Sequence, residues 1–277
     1  MAETLFVTTE WLNEHLQDDN LRVVDIRGRV LPATEPPPHY KSHHDEYKES
    51  HIPGAVFVDW TTDIVEPGSP SYDIANADRY AALMSHLGIG PQTQVVAYDD
   101  ANGMFAARMW WTLRYYGHEQ VAVLMGGWQQ WVAEGRPTTA NEPAITPTTF
   151  VPQVNHTLRA TADDIKGGNQ LLDVRSVAEF TGEASRAQRM GHIPCAVNWP
   201  RKAMLDEAGQ LLPAAELRRY LAELGIADDQ DDVIVYCNSG VSASFGLMAL
   251  EAAGIHNGRV YDGSWKDWAN NPDRPIE

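Results

Sequence analysis

Two short, unbroken apolar runs organise the chain: Val95-Val96-Ala97-Tyr98 and Val233-Ile234-Val235-Tyr236. Continuous rather than alternating apolar residues predict strands buried on both faces. Each run is followed by a loop of small residues and then by a helical pattern. After the second run the helix reads SASFGLMALEAAG, with Gly254 as its stop. TEWLNEHL (9–16) and ATADDIKG (160–167) predict opening helices, the second with Thr161 as N-cap. Strands that alternate with helices imply an α/β fold, a mostly parallel sheet with helices on both faces. Such folds bind ligands beyond the carboxyl ends of their strands, which directs attention to the loops after the two runs.

The pattern is written twice. LRVVDIRG (21–28) recurs as QLLDVRS (170–176), and SHIPGAV (50–56) as GHIPCAV (191–197). LGIGPQTQVVAYD (87–99) recurs as LGIADDQDDVIVYC (224–237), and GGWQQWVAEGRP (126–137) as DGSWKDWANNPDRP (262–275). The offset is 148 residues at Asp25/Asp173, 141 at His51/His192, 138 at Asp99/Cys237 and 137 at Trp131/Trp268. A nearly constant offset over four ordered blocks means two copies of one domain and excludes an array of short repeats. The drift from 148 to 141 marks an insertion in the first copy, VLPATEPPPHYKSHHDEYKE (30–49). The Thr- and Pro-rich stretch 138–157 lacks apolar periodicity and reads as a linker. The expected domains are therefore 1–137 and 158–277.

Composition narrows the class. With 43% hydrophobic residues, 9 Trp and 10 Tyr in 277 residues, the chain is globular rather than disordered. A net charge of -17 speaks against nucleic acid as a partner and serves solubility. A protein this acidic must gather Arg and Lys locally if it is to hold an anionic substrate. Two cysteines, Cys195 and Cys237, are too few for a disulfide scaffold, and no Cys-x-x-Cys occurs. The first residues carry no signal-peptide pattern and no run has the length of a membrane span, so a cytoplasmic protein is expected. No metal or organic cofactor is implied, since clustered ligand spacing and a Gly-rich nucleotide loop are both missing from the sequence.

The loop after the second run, Tyr236-Cys237-Asn238-Ser239-Gly240-Val241-Ser242-Ala243, carries the candidate chemistry. A cysteine between a buried strand and a helix start sits where main-chain amides and the helix dipole stabilise a thiolate. That makes Cys237 a nucleophile rather than an inert core thiol. The first copy has Asp99 at this place and is expected to be a catalytically inactive scaffold.

The Asp-x-Arg pairs, the HIPGAV/HIPCAV turns, the strand ending in Cys-x-x-Gly and the terminal GGWQQW/DGSWKDW together resemble tandem rhodanese domains, over roughly 5–137 and 158–277. The resemblance implies a ping-pong sulfurtransferase. A sulfane-sulfur donor, thiosulfate or 3-mercaptopyruvate, loads Cys237 as a persulfide. Cyanide or a thiol, with a thioredoxin-like reductant as one possible partner, removes the sulfur. The loop is similar to that of mercaptopyruvate enzymes, whereas VRSVAEFTGE with HIPCAVNWPR looks more like enzymes labelled thiosulfate sulfurtransferases, so both donors stay open. Family pattern further implies substrate contacts from Asn238, Gly240, Val241 and Ser242, and an anion-binding arginine at Arg186 or Arg189. It also implies a proton relay of Ser239 with His51, for which Asp45 is the candidate acid. Glu179 stands near where mercaptopyruvate enzymes keep a second arginine.

Other residues have plainer readings. Arg27 and Arg175 are expected in structural ion pairs, because both copies keep them. Trp128, Trp131, Trp265 and Trp268 recur at i, i+3 spacing and are expected to pack, with Trp265 able to reach a pocket mouth. Cys195 is either a small buried residue or a resolving thiol for Cys237. Two rival functions remain: a non-enzymatic sulfur- or anion-binding module, and a Cys-dependent phosphatase or arsenate reductase. The second needs Cys-x5-Arg, and the residue six after Cys237 is Ala243.

Overall fold

The computed structural model describes residues 5–226 and 232–277. The first four residues and 227–231, part of the repeated block 224–237, lie outside the described residues. Two compact units emerge. One comprises 1–30, 38–67 and 74–155; the other comprises 31–37, 68–73 and 156–277.

The first unit holds strands β1 (Phe6–Val7), β2 (Leu21–Asp25), β3 (Gly28–Val30), β4 (Tyr40–Ser42), β5 (Val56–Phe57), β6 (Gln94–Tyr98) and β7 (Val121–Leu124). Its helices are α1 (Thr9–His15), α2 (His44–Glu49), α3 (Ala77–His86), α4 (Met104–Tyr115) and α5 (Gly127–Ala133). The main sheet is parallel in the order β1-β7-β6-β2-β5, and β3 with β4 forms an antiparallel ribbon. The second unit holds β8 (Arg159–Ala160), β9 (Gln170–Asp173), β10 (Val197–Asn198), β11 (Val233–Tyr236) and β12 (Gly258–Tyr261), with α6 (Val177–Phe180), α7 (Ala214–Glu223), α8 (Val241–Ala252) and α9 (Ser264–Asn270). Its sheet is again parallel, and read from β8 its order β8-β12-β11-β9-β10 repeats that of the first unit. The two apolar runs are the central strands of the two sheets, and all four residues of β11 are buried.

Register repeats as well. Asp25 lies opposite Tyr98 in one sheet and Asp173 opposite Tyr236 in the other. Each aspartate caps its own Asp-x-Arg turn: Arg175 donates its backbone N–H and its Nε to Asp173 at 2.9 and 3.0 Å, as Arg27 does to Asp25 at 3.0 and 3.1 Å. The arginines then reach the HIP turns, Arg175 to the Gly191 carbonyl at 2.9 Å and Arg27 to that of Ser50 at 2.7 Å. Each guanidinium lies over a tryptophan of the last helix, 4.5 Å from Trp265 and 4.3 Å from Trp128. The expectation of structural ion pairs holds for both. Trp131 and Trp268 likewise donate to Pro137 and Pro275 carbonyls, both at 2.8 Å.

Helix α8 ends as expected, with Gly254 at φ +85°. Inside it Gly246 allows close approach to the sheet, since a Cβ there would stand 2.8 Å from Val235 Cγ1. Two expectations differ from the outcome. At 162–164 a single 3-10 turn replaces the opening helix of the second copy. Asp164 accepts both the N–H and the hydroxyl of Thr161 at 2.7 Å, and Gly167-Gly168 follow, so nothing propagates the turn. Residues 138–155, expected as part of a linker, instead line the first unit. Thr139 pairs with His51, and the amides of Thr148, Gln153 and Asn155 donate to Ser85, Tyr116 and Tyr115 carbonyls. An extended chain without helical or sheet partners still needs acceptors for its amides, and these helix ends supply them.

The Asp173–Arg175 pair is wholly buried. Arg175→Met is expected to leave that carboxylate uncompensated and to cost about 3–5 kcal/mol. Urea unfolding followed by tryptophan fluorescence measures it; a loss under ~1 kcal/mol would show the pair is not holding the domain together.

Candidate active site

Cys237 follows β11 directly and is 4% exposed. Three residues on, Gly240 takes φ +76° and begins α8 with no side-chain cap. The first-turn amides of an uncapped helix gather at its start and carry its positive dipole end. The first unit shows what those amides accept. Asp99 Oδ1 receives the amides of Ala101 and Gly103, both at 2.9 Å, and Oδ2 those of Phe105 and Ala106 at 2.6 and 2.9 Å. Burial pushes the Asp99 carboxyl up, and these amides pull it back toward the ionised form. The sister of the Cys237 loop thus binds a carboxyl group of the chain itself, with four amides on its two oxygens.

The start of α9 locks the Cys237 loop in place. Ser264 Oγ accepts the amides of Cys237 and Gly240, each at 3.1 Å, and donates to the Tyr261 carbonyl at 2.7 Å. The Trp265 and Lys266 amides donate to the Cys237 and Asn238 carbonyls at 3.0 and 3.1 Å. Ser264 holds φ +53°, the value of Gly127 at the matching position of the first unit. A non-glycine residue there is strained, and the hydroxyl's three hydrogen bonds offset it.

Polar groups converge beside the loop. Glu179, on α6 and 5% exposed, accepts from Asn238 Nδ2 at 2.9 Å, from Ser176 Oγ at 2.8 Å and from Arg186. Burial pushes its carboxyl up, but Arg186 and these donors outweigh it and hold the group below the usual range. Arg186 also donates to the Leu31 carbonyl at 2.6 Å. Asn238 Oδ1 and Arg186 Nε are buried without a hydrogen-bond partner among the described residues. Lys266 feels the charges of Arg186 and Cys237, and its ammonium lies 4.5 Å above the Tyr72 ring. Burial first, then Arg186, pushes the lysine down to about 8, while Cys237 pulls the other way.

The Rhodanese-like domain model covers residues 8–134 and 157–271. The chain belongs to the rhodanese-like family. Relatives extend over nearly all of it: the "Sulfur carrier protein TtuD" of Thermus thermophilus is 35% identical, over 98% of this chain and 96% of that protein. The "Putative thiosulfate sulfurtransferase SseA" of Mycobacterium tuberculosis is 36% identical over 98% and 89%. The crystal structure of the 3-mercaptopyruvate sulfurtransferase SseA of Escherichia coli has a TM-score of 0.83 at 31% identity, covering 95% of this chain and 99% of that one.

Within the second rhodanese domain, Cys237, Asn238, Ser239, Gly240 and Val241 are buried in one loop, with Ser242 half-buried behind them. Arg186 lies beside it through Glu179 and Asn238. Arg189 does not belong to this group. Its guanidinium donates to the carbonyls of Trp268, Ala269, Asn271 and Arg274 and so caps the end of α9. The orphan carbonyls of a helix end attract a guanidinium as strongly as an anion would, and the spacing to His192 could not tell the two apart. His51, in the first domain, is fully buried and stacked on Tyr47, its ring nitrogens 2.7 and 3.2 Å from the Tyr47 and Asn141 carbonyls. These contacts hold the turn, and the candidate acid Asp45 is exposed on α2. Trp265 is fully buried rather than at a pocket mouth. Cys195, expected to be buried, is exposed at φ +65°, because the HIP turn takes the left-handed conformation that Gly54 adopts in the first copy.

Sequence reasoning missed Ser264 and Lys266. The signal was present in the offset of 137, which places them opposite Gly127 and Gln129. Asp99→Ala is expected to strand four buried amides and to destabilise the first domain by about 2–4 kcal/mol. Chemical denaturation measures this; a neutral substitution would mean the amides do not need an anion.

Proposed function

We propose that this chain is a sulfurtransferase that takes a sulfane sulfur onto Cys237 as a persulfide and passes it to a thiophilic acceptor. The observation that carries this reading is the Asp99 carboxylate, bound by main-chain amides at the place where the second domain has a sulfur. A loop built around an anion stabilises a thiolate and, one bond further out, a persulfide.

The first half-reaction balances with either donor. With thiosulfate the Cys237 thiolate attacks the outer sulfur, the S–S bond to the sulfonate breaks, and sulfite leaves with the bonding pair. With 3-mercaptopyruvate the C–S bond breaks, the carbon keeps the pair as an enolate, and the donor's thiol proton completes pyruvate's methyl group. In the second half-reaction cyanide or a thiol, a thioredoxin-like protein among them, attacks the outer sulfur and restores the thiolate. Asn238, Gly240, Val241 and Ser242 form the wall of the sulfur site, Ser239 contributes the loop hydroxyl of the proton relay, and Arg186 supplies positive charge. Ser264 is a positioning residue, because it acts through the loop amides. Phosphatase chemistry is disfavoured, since Ala243 occupies the position where a phosphoryl-binding arginine is required.

Intact mass spectrometry tests the reading. Incubation with thiosulfate or mercaptopyruvate is expected to add the mass of one sulfur, which cyanide removes. Cys237→Ser abolishes the gain and Cys195→Ala leaves it. A protein that never gains the sulfur is an anion-binding module and not an enzyme of this class.

A further inference from the structure

The loop from Cys237 to Ala243 contains no cation, although the net charge of the chain is -17. Of the arginines the sequence brings near, Arg175 is committed to Asp173, Arg189 to the end of α9, and Arg186 is bridged by Glu179. A further cation enters from another element. Residues 264–266 dock on the loop by consecutive hydrogen bonds, from the Ser264 hydroxyl to the Lys266 amide, and so carry the Lys266 side chain to the loop's flank. The Tyr72 ring, 4.5 Å from the ammonium, holds it by a cation–π contact. Tyr72 belongs to the segment 68–73 of the same unit, which Asp73 ties to Arg159 at 3.5 Å.

The sister copy is the control. Gln129 stands where Lys266 stands, and its side chain also bonds the loop, donating to the Asp100 carbonyl. The position is built to touch the loop in both copies. It is neutral where a carboxylate already fills the cradle and cationic where an anion must arrive.

We propose that Lys266 holds the anionic end of the sulfur donor and sets the preference for thiosulfate over 3-mercaptopyruvate, a reading that rests on the sulfurtransferase assignment. The charge distribution of the two donors supplies the reason. Thiosulfate carries its sulfonate one bond from the transferred sulfur and releases a dianion there. Mercaptopyruvate carries one carboxylate, separated from the sulfur by the methylene and carbonyl carbons. A cation at the flank of Cys237 therefore acts on the first donor at closer range and on twice the charge. The ammonium is held against partial burial and the like charge of Arg186, so an arriving anion relieves both.

The experiment measures kcat and KM for both donors in the wild type, Lys266→Gln and Lys266→Arg, with thermal melting as a check on folding. Lys266→Gln, which installs the residue of the sister copy, is expected to lower thiosulfate kcat/KM about tenfold to a hundredfold, mainly through KM, and mercaptopyruvate kcat/KM by no more than about threefold. Lys266→Arg is expected to stay within about threefold of the wild type for both. The ratio of thiosulfate to mercaptopyruvate kcat/KM adds a pH signature. Lys266 loses its proton as pH rises through about 8, so the ratio falls on that limb, and arginine abolishes the fall. Cys237 and Arg186 face both donors alike and cancel in the ratio, and burial pushes the Tyr72 phenol up. Equal losses for both donors in Lys266→Gln, or an arginine variant as impaired as the glutamine one, would overturn the proposal while leaving the sulfurtransferase reading intact. Failure of the wild type to take up sulfur from either donor would overturn that reading itself.

Discussion

A helix that begins where a parallel strand ends presents backbone donors that the fold itself cannot satisfy. Everything notable in these two domains follows from what fills that place. In the first it is a carboxylate, Asp99, with four amides on its two oxygens. In the second it is Cys237, and the Ser264 hydroxyl at the loop's base takes the Cys237 and Gly240 amides. The same architecture closes on a carboxyl group in one domain and carries a thiol in the other.

Around this point the frame is shared. The Asp-x-Arg turn, the tyrosine opposite it and a tryptophan of the last helix interlock identically in both copies. Buried ion pairs of this kind contribute little net stability but become costly when halved, which suits a scaffold that must hold a loop in one geometry. Around the loop itself the copies differ at three positions that matter to its contacts: cysteine for aspartate, serine for glycine, lysine for glutamine. Two of the three lie on α9, far in sequence from the nucleophile.

Much of this was legible from the chain alone. The buried runs became the central strands, the constant offset became two sheets of one topology, and the Asp-x-Arg residues became ion pairs. Two expectations gave way to backbone geometry: Arg189, placed by its nearness to His192, caps a helix end, and Cys195, read as a small buried residue, is exposed at a left-handed φ. Residues 138–155 were taken for a linker because their composition is loop-like, but a chain without periodicity still packs when neighbouring helix ends offer acceptors.

Local pattern alone determined the α/β class, the duplication, and the exchange of aspartate for cysteine between the two sister loops. Those features depend on residue type and spacing along a strand or helix, which the chain carries explicitly. Tertiary structure decided which partner each cation takes. A guanidinium or ammonium on a long flexible side chain serves whichever acceptor lies closest in space, and that acceptor — a helix end for Arg189, a glutamate for Arg186, the neighbourhood of Cys237 for Lys266 — exists only once distant segments have packed.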